Sequence, residues 1–134
     1  MKRFARPSVL ILLAAVLALG ACAPAAGEVP LGISDNGSQV EVDLGWVLVI
    51  SLESNPSTGY GWHVAEIDPA RLEQVGEAEF IPADSDEQLV GAPGVETLRF
   101  KTVGSGITTL TLTYDRTWED DSAEQTFTLT VSVP

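Results

Sequence analysis

Residues 125–133 read QTFTLTVSV, and strict alternation runs through them. Phe127, Leu129, Val131 and Val133 fall on one side of an extended chain, with Thr126, Thr128, Thr130 and Ser132 on the other. Apolar residues at period two, with hydroxyl residues between them, predict a half-buried antiparallel strand with one wet face. Ile107–Tyr114 repeats the pattern, with Leu110, Leu112 and Tyr114 inward against Thr109, Thr111 and Thr113. Further upstream, Thr97–Val103 sets Leu98 and Phe100 against Arg99 and Lys101. Tyr60–Ile67 places Tyr60, Trp62 and Val64 on one face, with Gly61 and His63 on the other. Trp46–Leu52 (WVLVISL) is a β-branched apolar run of strand length, Gln39–Val42 alternates, and Glu77–Ile81 adds a less regular stretch. Only Asp68–Gln74 (DPARLEQ) predicts helix, of one or two turns.

Seven or eight short strands separated by turn signals imply an all-β chain, an immunoglobulin-like antiparallel β-sandwich. Trp62, on the third strand, fits the core position that such sandwiches use. Cys22 is the only cysteine, so there is no intramolecular disulfide and the core must carry the stability alone.

The chain opens with Lys2, Arg3 and Arg6, then an unbroken apolar run from Val9 to Leu19. Eleven residues are too few to span a membrane, which takes roughly 20. A basic head, a short apolar middle and small residues at the cut make a secretory signal peptide. The ending Leu19-Gly20-Ala21-Cys22 resembles a bacterial lipobox, which implies acylation of Cys22 and anchoring to the outer face of a bacterial membrane. Residues 1–21 are then the lipoprotein signal peptide. Residues 22–37 hold the acylated Cys and a flexible Ala-, Pro- and Gly-rich tether, and residues 38–134 form the domain. As a coil, the tether reaches about 20 Å. Within it, Val29–Ser34 is a candidate extra strand.

All 19 acidic residues follow Cys22, where only Arg71, Arg99, Lys101 and Arg116 are basic. The four against nineteen leave the mature chain at −15, compared with −12 for the precursor. Such a surface repels nucleic acid, and no basic stripe exists to bind it. It also leaves a lipid, rather than charge, to hold the protein near an anionic bilayer.

Catalytic sets are scarce. His63 is the only histidine and lies on a strand face exposed to water, which leaves a Ser-His-Asp triad without a placed base. One His cannot complete a tetrahedral zinc set. Asp84-Ser85-Asp86-Glu87 has a D-x-D start but lacks the Gly and the terminal Glu of an EF-hand loop. Glu119-Asp120-Asp121 is the other acidic run, and both read as solvated loop residues. No metal, cofactor or catalytic role is expected.

Three connections carry unusual content: Glu53–Gly59, Pro82–Gly94 and Asp115–Glu124. Alternate connections of an immunoglobulin-like sandwich gather at one end, so these three are expected to form one surface. The first contains NPSTGY (residues 55–60) with Trp62 close behind, the second GAPG (residues 91–94), and the third Arg116-Thr117-Trp118. With these motifs in order over about residues 38–134, the sequence resembles the chagasin-type inhibitors of papain-like cysteine peptidases.

The resemblance implies a reversible, non-covalent inhibitor whose three loops enter a peptidase's active-site cleft. Asn55, Pro56, Ser57, Thr58 and Gly59 are the implied central loop, with Thr58 nearest the enzyme's catalytic Cys and His. Gly91, Ala92, Pro93 and Gly94 are implied to run extended along the cleft. Arg116, Thr117 and Trp118 are implied to grip its primed side. Thr117 departs from the family, which usually has Pro there, and this makes the third loop less preorganised. Read as residues alone, Tyr60 and Trp62 belong to the core, Asn55 can cap its own turn, and Trp118 either stands exposed or folds onto the sheet edge. The expected partners are a papain-like cysteine peptidase and, through the lipid, a membrane; the chain is expected to be a monomer. The rival function is an immunoglobulin-like envelope module that binds another protein or a carbohydrate through the same loops.

Overall fold

Period-two alternation builds two sheets. The computed structural model describes residues 27–83 and 93–134. Nine strands form among the described residues: β1 (Glu28–Leu31), β2 (Gln39–Glu41), β3 (Val47–Ser54), β4 (Gly61–Glu66), β5 (Leu72–Gln74), β6 (Glu79–Pro82), β7 (Gly94–Thr102), β8 (Gly106–Asp115) and β9 (Gln125–Val133). One sheet runs β1-β3-β7-β5, with β6 also paired to β7; the other runs β2-β9-β8-β4. The alternation in QTFTLTVSV is realised as burial, for Phe127, Leu129 and Val131 are sealed while Thr128 and Thr130 are half-buried. Facing them across the core are Leu48, Ile50, Leu52, Leu98 and Phe100, all sealed as well. Each such side chain contributes roughly 1.5–3 kcal/mol by leaving water. The core therefore does the work that a disulfide does in related architectures. Trp62 lies in this core, with its indole N–H donating to the Glu53 carbonyl at 3.0 Å.

The expected all-antiparallel pairing is broken at two edges. β1 lies parallel to β3, and β2 lies parallel to β9. The N-terminal segment follows an edge of the first sheet, turns through a 3₁₀ turn at Ile33–Asp35, and continues along an edge of the second. The Asp35 carboxylate accepts the Gly32 N–H at 2.9 Å and closes that crossing. Since neither strand forms a hairpin with its neighbour, no tight turn dictates an antiparallel direction. Pro30, which lacks an N–H, is tolerated in β1 because that strand is an edge.

The same segment corrects the domain boundary. The folded unit includes Glu28–Leu31 and so begins well before residue 38, because Leu31 is buried and Val29 packs against the core. The signal peptide at residues 1–21 and Cys22 lie outside the described residues, as do Asp84–Glu87.

No helix forms at Asp68–Gln74. Asp68 instead opens a tight turn, its carbonyl accepting from the Arg71 and Leu72 N–H groups at 3.0 and 2.9 Å. Its carboxylate takes the Ala70 N–H at 3.0 Å and the Arg71 guanidinium at 2.6 Å. The chain then extends into β5, where Leu72 is sealed in the core and pairs with Thr102. Seven residues cannot recover the cost of helix nucleation alone, so burial of Leu72 and a sheet ladder win.

Candidate functional site

Strand register gathers the motif loops at one end. Ser54 at the end of β3 pairs with Gly94 at the start of β7, and Gly61 at the start of β4 pairs with Asp115 at the end of β8. Tyr114 pairs with Gln125, which brings the β8–β9 connection to the same place.

The first loop is a small folded tip. Pro56–Thr58 forms a 3₁₀ turn, started by a proline whose φ is already helical. The Asn55 carbonyl accepts the Thr58 N–H at 3.1 Å and the Thr58 hydroxyl at 2.6 Å, and the Pro56 carbonyl accepts the Gly59 N–H at 3.0 Å. The Asn55 side chain does not cap the turn; its carbonyl oxygen accepts the Ser57 hydroxyl at 2.6 Å. Gly59 ends the turn at φ 83°, the left-handed region that glycine enters freely.

The third loop folds onto the first. The Arg116 carbonyl accepts the Glu119 N–H at 3.0 Å, closing a β-turn with Thr117 at its second position. Ser122 closes the loop's base, its hydroxyl accepting the Arg116 N–H at 2.9 Å and donating to the Arg116 carbonyl at 2.8 Å. The Arg116 side chain reaches sideways. Its Nε donates to the Thr58 carbonyl at 3.0 Å, and its guanidinium lies 4.4 Å from the centre of the Tyr60 ring. Trp118 stands exposed, the first of the two expected alternatives, and does not fold onto a sheet edge. Its indole lies across Gly59, so close that a Cβ there would fall 2.7 Å from the ring, yet it remains 69% exposed.

Tyr60 is the floor of this joint. Its ring packs tilted against Tyr114 at 5.4 Å, and Tyr114 packs against Trp62 at 5.2 Å. Burial pushes the Tyr60 phenol above its ordinary value, and the hydrogen-bonded Glu124 carboxylate adds to the rise. Tyr60 and Trp62 thus carry the tip from beneath, as strand alternation predicts.

The second motif is divided. Gly91 and Ala92 lie outside the described residues, Pro93 is exposed, and Gly94 is the buried first residue of β7. A Cβ at Gly94 would run into the Ile81 carbonyl oxygen and the Phe80 ring, so glycine there permits close strand approach.

Other residues at this end have no motif. Glu96 accepts from the Ser54 hydroxyl at 3.0 Å and from the Trp62 N–H at 3.2 and 3.3 Å. The Tyr114 hydroxyl accepts the Asn55 N–H at 2.9 Å. The signal for Glu96 lies in register: Gly94, Glu96, Leu98 and Phe100 share one parity, which a strand begun at Thr97 conceals. His63, exposed as expected, meets Asp115 at 2.6 Å. Among the described residues no group of three or more His, Cys, Asp or Glu side chains could hold a metal.

Comparison with known proteins agrees with this architecture. Residues 41–131 match the family model described as Chagasin family peptidase inhibitor I42. Chagasin of Trypanosoma cruzi is 32% identical over 90 residues, covering 65% of this chain and 80% of that protein. Among solved structures, the cysteine protease inhibitor EhICP2 from Entamoeba histolytica shares the fold with a TM-score of 0.72 at 23% identity, over 83% of this chain and 99% of that one. PbICP-C, solved in complex with falcipain-2, does so with a TM-score of 0.58 at 21% identity, over 81% and 100%.

Proposed function

The chain belongs to the chagasin family of peptidase inhibitors, and on that premise we propose that its three-loop end plugs the active-site cleft of papain-like cysteine peptidases, reversibly and without a covalent bond. It is an inhibitor and not an enzyme. The observation that carries the loop assignment is the joint between two motifs, in which Arg116 holds the Thr58 carbonyl and Trp118 covers Gly59. Two separate connections thereby become one exposed, preformed tip. Preformation lowers the ordering entropy lost on docking, and Trp and Arg are the residue types that dominate binding hot spots.

Thr58 and Gly59 face the enzyme's catalytic Cys and His in this reading. Pro93, with Gly91 and Ala92 before it, follows the cleft on one side and Trp118 covers the other, while buried Gly94 holds the loop to β7 from behind. Arg116 acts mainly from behind, as the strut of the tip. The tip resists cleavage because its peptides are folded into a 3₁₀ turn, whose N–H groups of Thr58 and Gly59 are already spent inside the loop. A scissile carbonyl is not presented in attack geometry. That PbICP-C, which shares the fold, binds falcipain-2 supports a peptidase of this class as partner.

The protein is further proposed to act as a monomer on the outer face of a bacterial membrane, held by acylated Cys22; the lipobox-like LGAC of residues 19–22 supports this. Replacing Cys22→Ser is expected to release it from membranes, and continued membrane association would refute acylation. For inhibition, the purified protein is titrated against papain with a fluorogenic peptide substrate. Stoichiometric loss of activity that returns on dilution is expected. No inhibition at micromolar protein would sink the reading.

A further inference from the structure

Glu96 occupies an inward-facing position of β7, two residues beyond Gly94 and in step with buried Leu98 and Phe100. Turning a carboxylate toward a core costs free energy unless its oxygens are hydrogen-bonded. Here they are bonded to specific places. Oε1 accepts the Ser54 hydroxyl at 3.0 Å, and both oxygens share the Trp62 backbone N–H. Ser54 is the last residue of β3, and Trp62 the second of β4. These residues bracket the Asn55–Gly59 tip on its two sides, and they belong to different sheets. One carboxylate therefore joins the two sheets directly beneath the tip. It projects from the strand that emerges from the second motif, and the Tyr114 hydroxyl on the Asn55 N–H adds a tie from the strand that leads to the third.

We propose that Glu96 is a positioning residue of the inhibitory end. It fixes the spacing of the two strand ends that carry the tip, so that Thr58 and Gly59 hold their docking shape before a peptidase arrives. This deepens the inhibitory reading above and rests on it. A β4 edge left without the carboxylate frees the Trp62 N–H and lets the loop breathe about its base. The cost then falls on binding, where a loose loop must be ordered at each encounter. A carboxylate that only satisfied its own burial would cost folding and leave binding of the folded protein untouched.

The test compares Glu96→Ala, Glu96→Gln and, as a control at the far end, Leu72→Val. Each is read by melting temperature, inhibition of papain well below melting, amide exchange at Trp62 and backbone order parameters at Thr58 and Gly59. Loss of hydrogen bonds to a charged acceptor is expected to raise the inhibition constant of Glu96→Ala about tenfold. The amide oxygen of Gln can still accept, so Glu96→Gln is expected to stay within about threefold of the parent. Leu72→Val should lower the melting temperature and leave inhibition unchanged. Should Glu96→Ala inhibit like the parent, or should inhibition follow melting temperature across all three variants, the positioning role is overturned. If the parent protein fails against papain, the inhibitory reading falls by itself. The exchange and order-parameter arms still decide the clamp: loosening at Thr58, Gly59 and Trp62 in Glu96→Ala but not in Leu72→Val sustains it, and no loosening overturns it.

Discussion

Replacing Gly59→Ala tests the joint at its tightest point. The backbone there has φ 83° and ψ −4°, a left-handed conformation that costs an alanine about 1–2 kcal/mol. The new methyl would also fall 2.7 and 2.8 Å from two atoms of the Trp118 ring, so the indole must swing away. That side chain is 69% exposed, and moving it costs the fold little. Stability should therefore fall by about 1–2 kcal/mol, with a melting shift of about 4–8 °C for each kcal/mol in a domain of this size. Inhibition should suffer more. A displaced aromatic anchor forfeits about 2 kcal/mol or more of binding, which is about 30-fold in the inhibition constant. The assay is papain inhibition by the parent, Gly59→Ala, Trp118→Ala and the double variant. If the indole is what the methyl disturbs, Gly59→Ala should cost far less affinity once Trp118 is gone, with a coupling of about 1 kcal/mol or more. Equal costs on the two backgrounds would refute the joint as the source of the effect. An unchanged inhibition constant for Gly59→Ala would remove Trp118 from the contact surface altogether.

Arg116→Ala removes the 3.0 Å bond to the Thr58 carbonyl and the contact over Tyr60. Because these groups are partly exposed, about 1–2 kcal/mol is expected, read as roughly tenfold weaker inhibition, and full rescue by Lys would contradict the strut geometry. Thr117→Pro places a proline at the second position of the Arg116–Glu119 turn, where its φ fits. It should stabilise the loop by about 0.4–1 kcal/mol and tighten inhibition, and a lowered melting temperature would show that the turn cannot accept it. Asp68 offers a pH test at the far end. The Ala70 N–H, and after it the Arg71 guanidinium, hold the Asp68 carboxyl below its ordinary value. A folded value below the unfolded one stabilises fully above the unfolded value, and that share is lost as pH falls through the folded value. Asp68→Asn should thus be less stable than the parent near neutrality and converge with it in acid; parallel denaturant midpoints across that range would exclude the linkage.

Alternation made the interior of each long strand legible from sequence. Phe127, Leu129 and Val131, like Leu110 and Leu112, are buried as their parity demands. What resisted reading was decided by partners distant in the chain. β5 looks helical because Asp68, Ala70, Arg71 and Leu72 suit a helix start, yet Leu72 is claimed by the core and by Thr102, thirty residues later. Of the candidate strand Val29–Ser34, residues 29–31 do join the sheet, within Glu28–Leu31, while Ile33–Asp35 turns away; those bounds are set by the neighbouring edge of β3, which no local pattern reveals. Parallel pairing at the two N-terminal edges is hidden for the same reason.

At the loop end the motifs mark what faces outward, and they leave unmarked what holds it in place. NPSTG and Arg-Thr-Trp announce themselves through Pro, Gly and Trp, residue types with backbone or surface consequences. Glu96, Tyr114 and Ser122 carry no such signature, since a carboxylate, a phenol and a hydroxyl are ordinary in strands and loops until their partners are known. Arg116 shows how far that matters. As the only basic residue in a run ending Glu119-Asp120-Asp121, it reads as a hand extended to a partner. Folded, it is taken up by the Thr58 carbonyl and the Tyr60 ring, with Glu119 3.5 Å away. The outward face of the third loop is then Trp118 rimmed by carboxylates. On the proposed reading, binding strength comes from the indole and the shape of the tip, and the negative rim is expected to weigh against peptidases whose cleft margins are acidic.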